Sequence, residues 1–174
     1  MIRPMGLTDI PRKAEIHVFG WRSAYRGIIS DEFLFTKMLV SKQIERFTEF
    51  LNSKDTDNYV FDDGIIKAIL TISPCRDTDK PDAFELCGIY VDPFFKGQGI
   101  GTALTLHTEK IAAERGYKEI CLWTFEKNTP ARAFYEKLGY SSDGATMIVE
   151  SCDAVGVRYA KLLDMNTASF FAQY

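Results

Sequence analysis

Asp92-Pro93-Phe94-Phe95-Lys96-Gly97-Gln98-Gly99-Ile100-Gly101 is the stretch that decides how this chain is read. An apolar run, Ala83 to Val91, comes before it and reads as a buried strand; a long helical pattern, Ile100 to Arg115, comes after. Glycines at 97, 99 and 101 let the backbone bend tightly with its amides turned inward. The helix that starts there adds the positive end of its dipole. Strand, glycine turn and helix together make an anion-binding device, and a pyrophosphate is its natural guest. A P-loop would need Gly-Lys-Ser or Gly-Lys-Thr, which is absent. A dinucleotide fingerprint would need glycine at the sixth position from Gly97, which is Thr102, and would not have Pro93 to Lys96 between strand and glycines.

Outward from that turn, toward the N-terminus, Ile2 to Met5 reads as a short strand. Thr8 or Asp9 can cap a helix running to about Tyr25, with Pro11 in its first turn. Ser30-Asp31-Glu32 opens a second helical stretch, and Ser41 to Leu51 a third, with Ile44, Phe47 and Leu51 at helical spacing. Asn58 to Phe61 and Ile65 to Ser73 flank Asp62-Asp63-Gly64, a hairpin signal. Arg76 to Asp82 is a polar loop, and the run from Ala83 is then the fourth strand. Toward the C-terminus, Arg115-Gly116 ends the helix and Glu119 to Phe125 is the fifth strand. A strand–helix–strand crossover makes the fourth and fifth strands parallel. Asn128 to Leu138 is the last helix, with Ala145 to Glu150 and Gly156 to Leu163 as final strands. The fold class is a mixed α/β sheet of about seven strands with helices on both faces. Residues 1–165 read as a single domain and 166–174 as a C-terminal tail holding Phe170 and Phe171.

Composition agrees with an ordinary globule: 46% apolar, 26% charged, net charge -3. No basic footprint argues for nucleic acid, and no apolar run reaches membrane-spanning length. Met1-Ile2-Arg3-Pro4 is followed by no apolar segment of a signal peptide, so a cytoplasmic protein is expected. Cys75, Cys87, Cys121 and Cys152 show no paired metal spacing, and three lie in apolar runs, which reads as buried reduced thiols. With two distant histidines, His17 and His107, no metal site is expected. His107 falls on an apolar helix stripe and reads as a hydrogen-bonded core residue, while His17 stays open between surface, core and site.

The spacing Lys96-x-x-Gly99-x-Gly101 resembles motif A of the GNAT family of acyl-CoA N-acyltransferases, with Lys96 standing where that pattern has Arg or Gln. Asn128-Thr129-Pro130-Ala131-Arg132-Ala133-Phe134-Tyr135-Glu136-Lys137-Leu138-Gly139-Tyr140 resembles its motif B, and Trp21 to Ile29 resembles the first helix and loop of many members. The resemblance covers Ile2 to about Leu163. It implies a mostly antiparallel sheet whose parallel fourth and fifth strands splay apart. The pantetheine arm of acetyl-CoA would lie in the splay. Its pyrophosphate would rest on Lys96, Gly97, Gln98, Gly99, Ile100 and Gly101, and backbone amides near Ile89 and Val91 would hold the arm and polarise the thioester carbonyl.

Amide formation from a thioester asks for a base and for help to the departing sulfur. Glu85, on the apolar fourth strand, shares in strict alternation a face with Cys87, Ile89 and Val91. The resemblance makes it the base that removes the amine proton; the bland alternative is a strand-start carboxylate facing solvent or paired with a lysine. Tyr135 matches the family tyrosine that protonates the thiolate, against a plain core role beside Phe134 and Leu138. Asn128 either binds pantetheine or caps the last helix, and these roles are compatible. Trp21 and Tyr25, four apart on a helix, are core or floor the acceptor pocket. The expected activity is acetyl transfer from acetyl-CoA to a primary amine, of a small molecule or a protein, by direct attack in a ternary complex. A homodimer is left open. A catalytically weak acyl-CoA sensor on the same fold and, less well, a nucleotide-dependent oxidoreductase are the rivals.

Overall fold

The computed structural model describes residues 1–50 and 56–163. The 166–174 tail and the Leu51 end of the third helical stretch lie outside the described residues. The chain runs β1 (Ile2–Pro4), α1 (Ile10–Ala24), α2 (Val40–Phe50), β2 (Asp57–Asp62), β3 (Ile66–Pro74), β4 (Phe84–Val91), α3 (Ile100–Glu114), β5 (Glu119–Phe125), α4 (Thr129–Lys137), β6 (Ser141–Val149) and β7 (Ala154–Leu162). A one-turn π-helix, Phe33–Lys37, continues from Ser30, whose Oγ accepts from Phe33 N. The strands form one seven-stranded sheet in the order β1-β2-β3-β4-β5-β7-β6. Only β4 and β5 pair in parallel; every other neighbouring pair is antiparallel. The mixed α/β class with a splayed parallel pair is therefore the architecture found.

The splay has a simple cause. β4 and β5 share only three register pairs, Phe84 with Ile120, Glu85 with Cys121 and Leu86 with Leu122. At that base Phe84, Leu86, Ile120 and Leu122 are all almost wholly buried against Leu104 of α3 and the inner rows of β3. Burying each is worth about 1.5–3 kcal/mol. The ladder bonds forgone beyond Leu86 are worth about 1 kcal/mol each. The packed base can hold the strands together while their far ends part.

Strict alternation fails on β4. Thr71 pairs with Gly88 but Ile72 pairs with Leu86, so Cys87 is an extra residue, a β-bulge. Phe84, Leu86, Ile89 and Val91 therefore face α3 and α4, where all four join the same apolar cluster. Glu85 and Tyr90 face the α1 side with Ser73 and Ile69, their register partners on β3. Glu85 does not share a face with Ile89 and Val91, which corrects the alternation read from the sequence.

Smaller differences also have physical reasons. Asp9 does not cap α1 with its side chain, because Arg3 takes both its oxygens (2.7 and 3.0 Å) and Gly6 N donates to Oδ2 at 2.8 Å. That guanidinium holds the Asp9 carboxyl below its ordinary value. β6 begins at Ser141, well before the apolar residues that mark it, because an edge strand pairs by backbone and needs no buried face. Of the cysteines only Cys121 is buried; Cys75 lies just past β3, Cys87 at the bulge and Cys152 in the turn before β7. All are free thiols. No helix among the described residues is long and apolar enough to cross a membrane.

Candidate active site

The wedge between β4 and β5 opens into a cleft of about 560 Å³. One wall is Cys87 to Val91 of β4, with Ile89 and Val91 beyond the last residue that β5 pairs. The other is Trp123 and Thr124 of β5 with Asn128, Ala131, Phe134 and Tyr135 at and along α4. Gly20, Ser23, Ala24 and Tyr25 at the end of α1 close one side, and the glycine turn forms the mouth.

The turn is held from behind. Asp92 Oδ1 accepts from Phe94 N at 3.0 Å, and Arg12 donates to Asp92 Oδ2 and to Ile66 O. Gly97 (φ 78) and Gly99 (φ 76) adopt the left-handed conformation that side-chain-bearing residues resist. A β-carbon at either would meet nothing within 4 Å, so both border open space. Gly99 is the N-cap residue of α3, and no side chain caps that helix among the described residues. Its first-turn amides remain available to an anion. Lys96 Nζ reaches across to Ser23 Oγ at 3.0 Å, tying the turn to α1. Lys96, Gly97, Gly99, Ile100 and Gly101 line the cleft and Gln98 does not.

Gly101 answers to a different constraint. A β-carbon there would stand 3.3 Å from the Phe134 ring, so this glycine lets α3 approach α4 closely. Gly101→Glu should push Phe134 and place a carboxylate beside the phosphate-binding amides. Isothermal titration with coenzyme A should show affinity reduced at least tenfold, about 1.4 kcal/mol. Unchanged affinity would remove the pyrophosphate from this turn.

Tyr135 lies on the cleft wall, its ring packed edge-on against Phe134 with centroids 5.0 Å apart. Burial, then the Tyr90 phenol, push its hydroxyl above the ordinary phenol range. The group is a proton-bearing donor at neutral pH. Asn128 shows the capping role, its Oδ1 accepting from Ala131 N at 3.4 Å as the N-cap of α4, and its side of the helix end lines the cleft. Tyr25 lines the cleft, and burial raises its phenol well above the usual value. Trp21 sits one layer back, donating its Nε1 to Tyr90 Oη at 3.0 Å. Tyr90 could not lie where it does without Gly20, where a β-carbon would come within 2.9 Å of its ring.

Glu85 is not among the residues that line the cleft. It is almost fully buried, and Arg76 grips both its oxygens, Nε to Oε2 at 2.9 Å and Nη2 to Oε1 at 2.5 Å. Arg76 N adds a longer bond at 3.3 Å. The Arg76 side chain is itself 69% exposed, so a solvent-facing charge covers the buried carboxylate. Neither histidine lines the cleft. His17 is buried among Trp21, Phe47 and Tyr90, and burial pushes its pKa down to about 3. His107 is half-buried against Tyr59, and its buried Nε2 has no hydrogen-bond partner among the described residues, so the hydrogen-bonded core residue expected there is not what is found. The reading from sequence missed Gly20, Ser23, Thr124 and Phe134 as cleft residues; only Phe134 carried a signal, standing next to Tyr135 in the quoted motif.

Residues 21–140 match the acetyltransferase (GNAT) family. Over 121 residues the chain is 31% identical to an uncharacterized N-acetyltransferase of Methanocaldococcus jannaschii, covering 67% of this chain and 51% of that protein, so it spans about half that relative's length. It is 26% identical to the spermidine N(1)-acetyltransferase of Thermoplasma acidophilum, covering 86% of this chain and 94% of that one. Its fold superposes on the PaiA N-acetyltransferase of T. acidophilum, crystallised with coenzyme A, with a TM-score of 0.71 at 21% identity over 91% and 96% of the two chains. With the glycine turn, the splayed strands and the tyrosine-bearing last helix in the family's order, the chain belongs to the acetyltransferase (GNAT) family, the acetyl-CoA-dependent N-acetyltransferases.

Proposed function

We propose that this chain transfers the acetyl group of acetyl-CoA to a primary amine by direct attack in a ternary complex. The observation that carries the reading is one continuous cleft with uncapped helix amides at its mouth and a protonated phenol, Tyr135, on its wall. Bound there, acetyl-CoA supplies an activated carbonyl carbon. Gly97 to Gly101 bind its phosphates, and the free edge of β4 at Ile89 and Val91 orients the arm and its carbonyl. The amine nitrogen bonds to that carbon and the carbon–sulfur bond breaks. Glu85, outside the cleft lining and held by Arg76, takes the amine proton through intervening water, and Tyr135 hydrogen-bonds the sulfur as it becomes negative. A buried phenol above its ordinary pKa serves best as a donor that stabilises the thiolate, with full proton transfer favoured only as burial raises the thiolate too. The spermidine N(1)-acetyltransferase relative supports a small polyamine as acceptor.

Free-thiol release from acetyl-CoA tests the reading against a panel of polyamines, amino acids, aminoglycoside-type amines and peptide N-termini. Turnover with at least one amine is expected, polyamines first. Coenzyme A binding with no thiol release across the panel would make the chain a binding module instead.

Tyr135→Phe should lower kcat about tenfold, the worth of one hydrogen bond near 1.5 kcal/mol, while acetyl-CoA affinity stays within a factor of two or so. The ring is kept, so packing on Phe134 survives and melting should hardly move. A steep fall in melting temperature with unchanged turnover per folded molecule would make Tyr135 a core residue only.

A further inference from the structure

Behind Trp123 the chain assembles a second constellation that acetyl transfer does not use. Cys75, just past β3, and Cys121, in the middle of β5, bring their Sγ atoms to 3.0 Å. The carboxylate of Asp77 joins them, and the three ligand atoms all lie within 4.8 Å of one another. It is the one such group of metal-ligating side chains among the described residues. We propose that Cys75, Asp77 and Cys121 bind a thiophilic divalent cation of the zinc class.

The Asp77 carboxylate is already oriented. Trp123 Nε1 and Arg158 Nη1 both donate to Asp77 Oδ2 at 2.9 Å, and Oδ1 has no hydrogen bond among the described residues. Donors fixed on one oxygen and a ligating position left on the other are the support that metal sites build around a carboxylate. Two thiolates and one carboxylate suit a borderline-soft ion that accepts tetrahedral coordination, with solvent as a fourth ligand at the half-buried loop side. At metal–sulfur distances of about 2.3 Å, a tetrahedral ion wants its sulfurs roughly 3.8 Å apart. The pair must spread by less than an ångström or so, which rotation of the two side chains can supply while Cys75 N stays bonded to Ala83 O at 2.9 Å. Charge also balances. One dication replaces two thiol protons, so the cluster keeps its net charge beside Glu85, Arg76 and Arg158. Burial and the neighbouring Cys75, Glu85 and Asp77 push the Cys121 thiol up. The bound ion would stand one hydrogen bond from the cleft wall, through Asp77 and Trp123.

Cobalt(II) is the probe, titrated into the full reduced chain in a phosphine reductant. The expected result is one equivalent bound, with thiolate-to-cobalt charge-transfer absorption, release of about two protons, and loss of the signal on adding zinc. Cys75→Ser and Cys121→Ser should each weaken binding roughly a hundredfold and Asp77→Asn roughly tenfold, while Cys152→Ser, far from the cluster, leaves it unchanged. Circular dichroism checks each variant, and Asp77→Asn keeps both thiols if Cys121→Ser does not fold. Absence of charge-transfer absorption while a thiol reagent counts both sulfurs free would overturn the site. So would an identical signal in Cys75→Ser, or a 75–121 disulfide whose reduced form binds no cobalt.

Discussion

Glu85→Gln should lower kcat/KM by roughly a hundredfold at neutral pH, and the deficit should shrink as pH rises. A lysine-like amine is mostly protonated near pH 7, and freeing it costs about 4–5 kcal/mol. Glutamine keeps the shape and one acceptor for Arg76 but cannot take a proton. At high pH the amine loses its proton unaided and the variant should approach the parent. The geometry sharpens this experiment, because Glu85 stands outside the cleft lining with both oxygens held by Arg76. A Glu85→Gln enzyme with parental activity at every pH and a lower melting temperature would show that the carboxylate only anchors the Arg76 loop. Amine deprotonation would then belong to solvent.

Arg158→Met should destabilise the fold by about 2–4 kcal/mol, read as a melting temperature lower by about 5–15 °C. Arg158 projects from β7 with its side chain 6% exposed. Its Nε donates to Asp143 on β6 at 2.7 Å, Nη1 to Asp77 and Asp79 at 2.9 and 2.8 Å, and Nη2 to Asp79 at 2.6 Å. Those acids push the guanidinium pKa further up. Methionine keeps an apolar stem but loses the guanidinium that lies over the Trp123 ring, and it leaves two half-shielded carboxylates, Asp77 and Asp143, without their main counter-charge. Asp79 is mostly exposed and adds little. Arg158→Lys should recover only part of the loss, because an ammonium cannot donate in a planar fork to three partners. A melting temperature within a degree or two of the parent would show the network to be solvated decoration.

The sequence and the structure agree most closely where local pattern and tertiary role coincide. β5 runs from Glu119 to Phe125 as its apolar run and flanking polar residues indicate, and α3 starts at Ile100 where the glycine turn ends. The parallel β4–β5 pair follows from the strand–helix–strand connection. Other features leave no local trace. The bulge at Cys87 is invisible because Leu86-Cys87-Gly88-Ile89 reads as a plain apolar strand, yet it moves Glu85 to the opposite face from Ile89. The Arg76 clamp is invisible because a loop arginine has no period to betray its partner. Cys75 and Cys121 are 46 residues apart, so no spacing rule unites them. In each case a contact between distant segments decides, and periodicity speaks only for neighbours.

The extra residue at Cys87 also divides β4 into two territories with different masters. Up to Leu86 the strand is paired along both edges; from Gly88 onward β3 holds one edge and the other is left to whatever occupies the cleft. Breeding this molecule for heat resistance alone would favour chains that iron the kink flat, regain the missing ladder and zip the strands shut. Such descendants would outlast the parent in a hot tube and have nowhere to put a thioester.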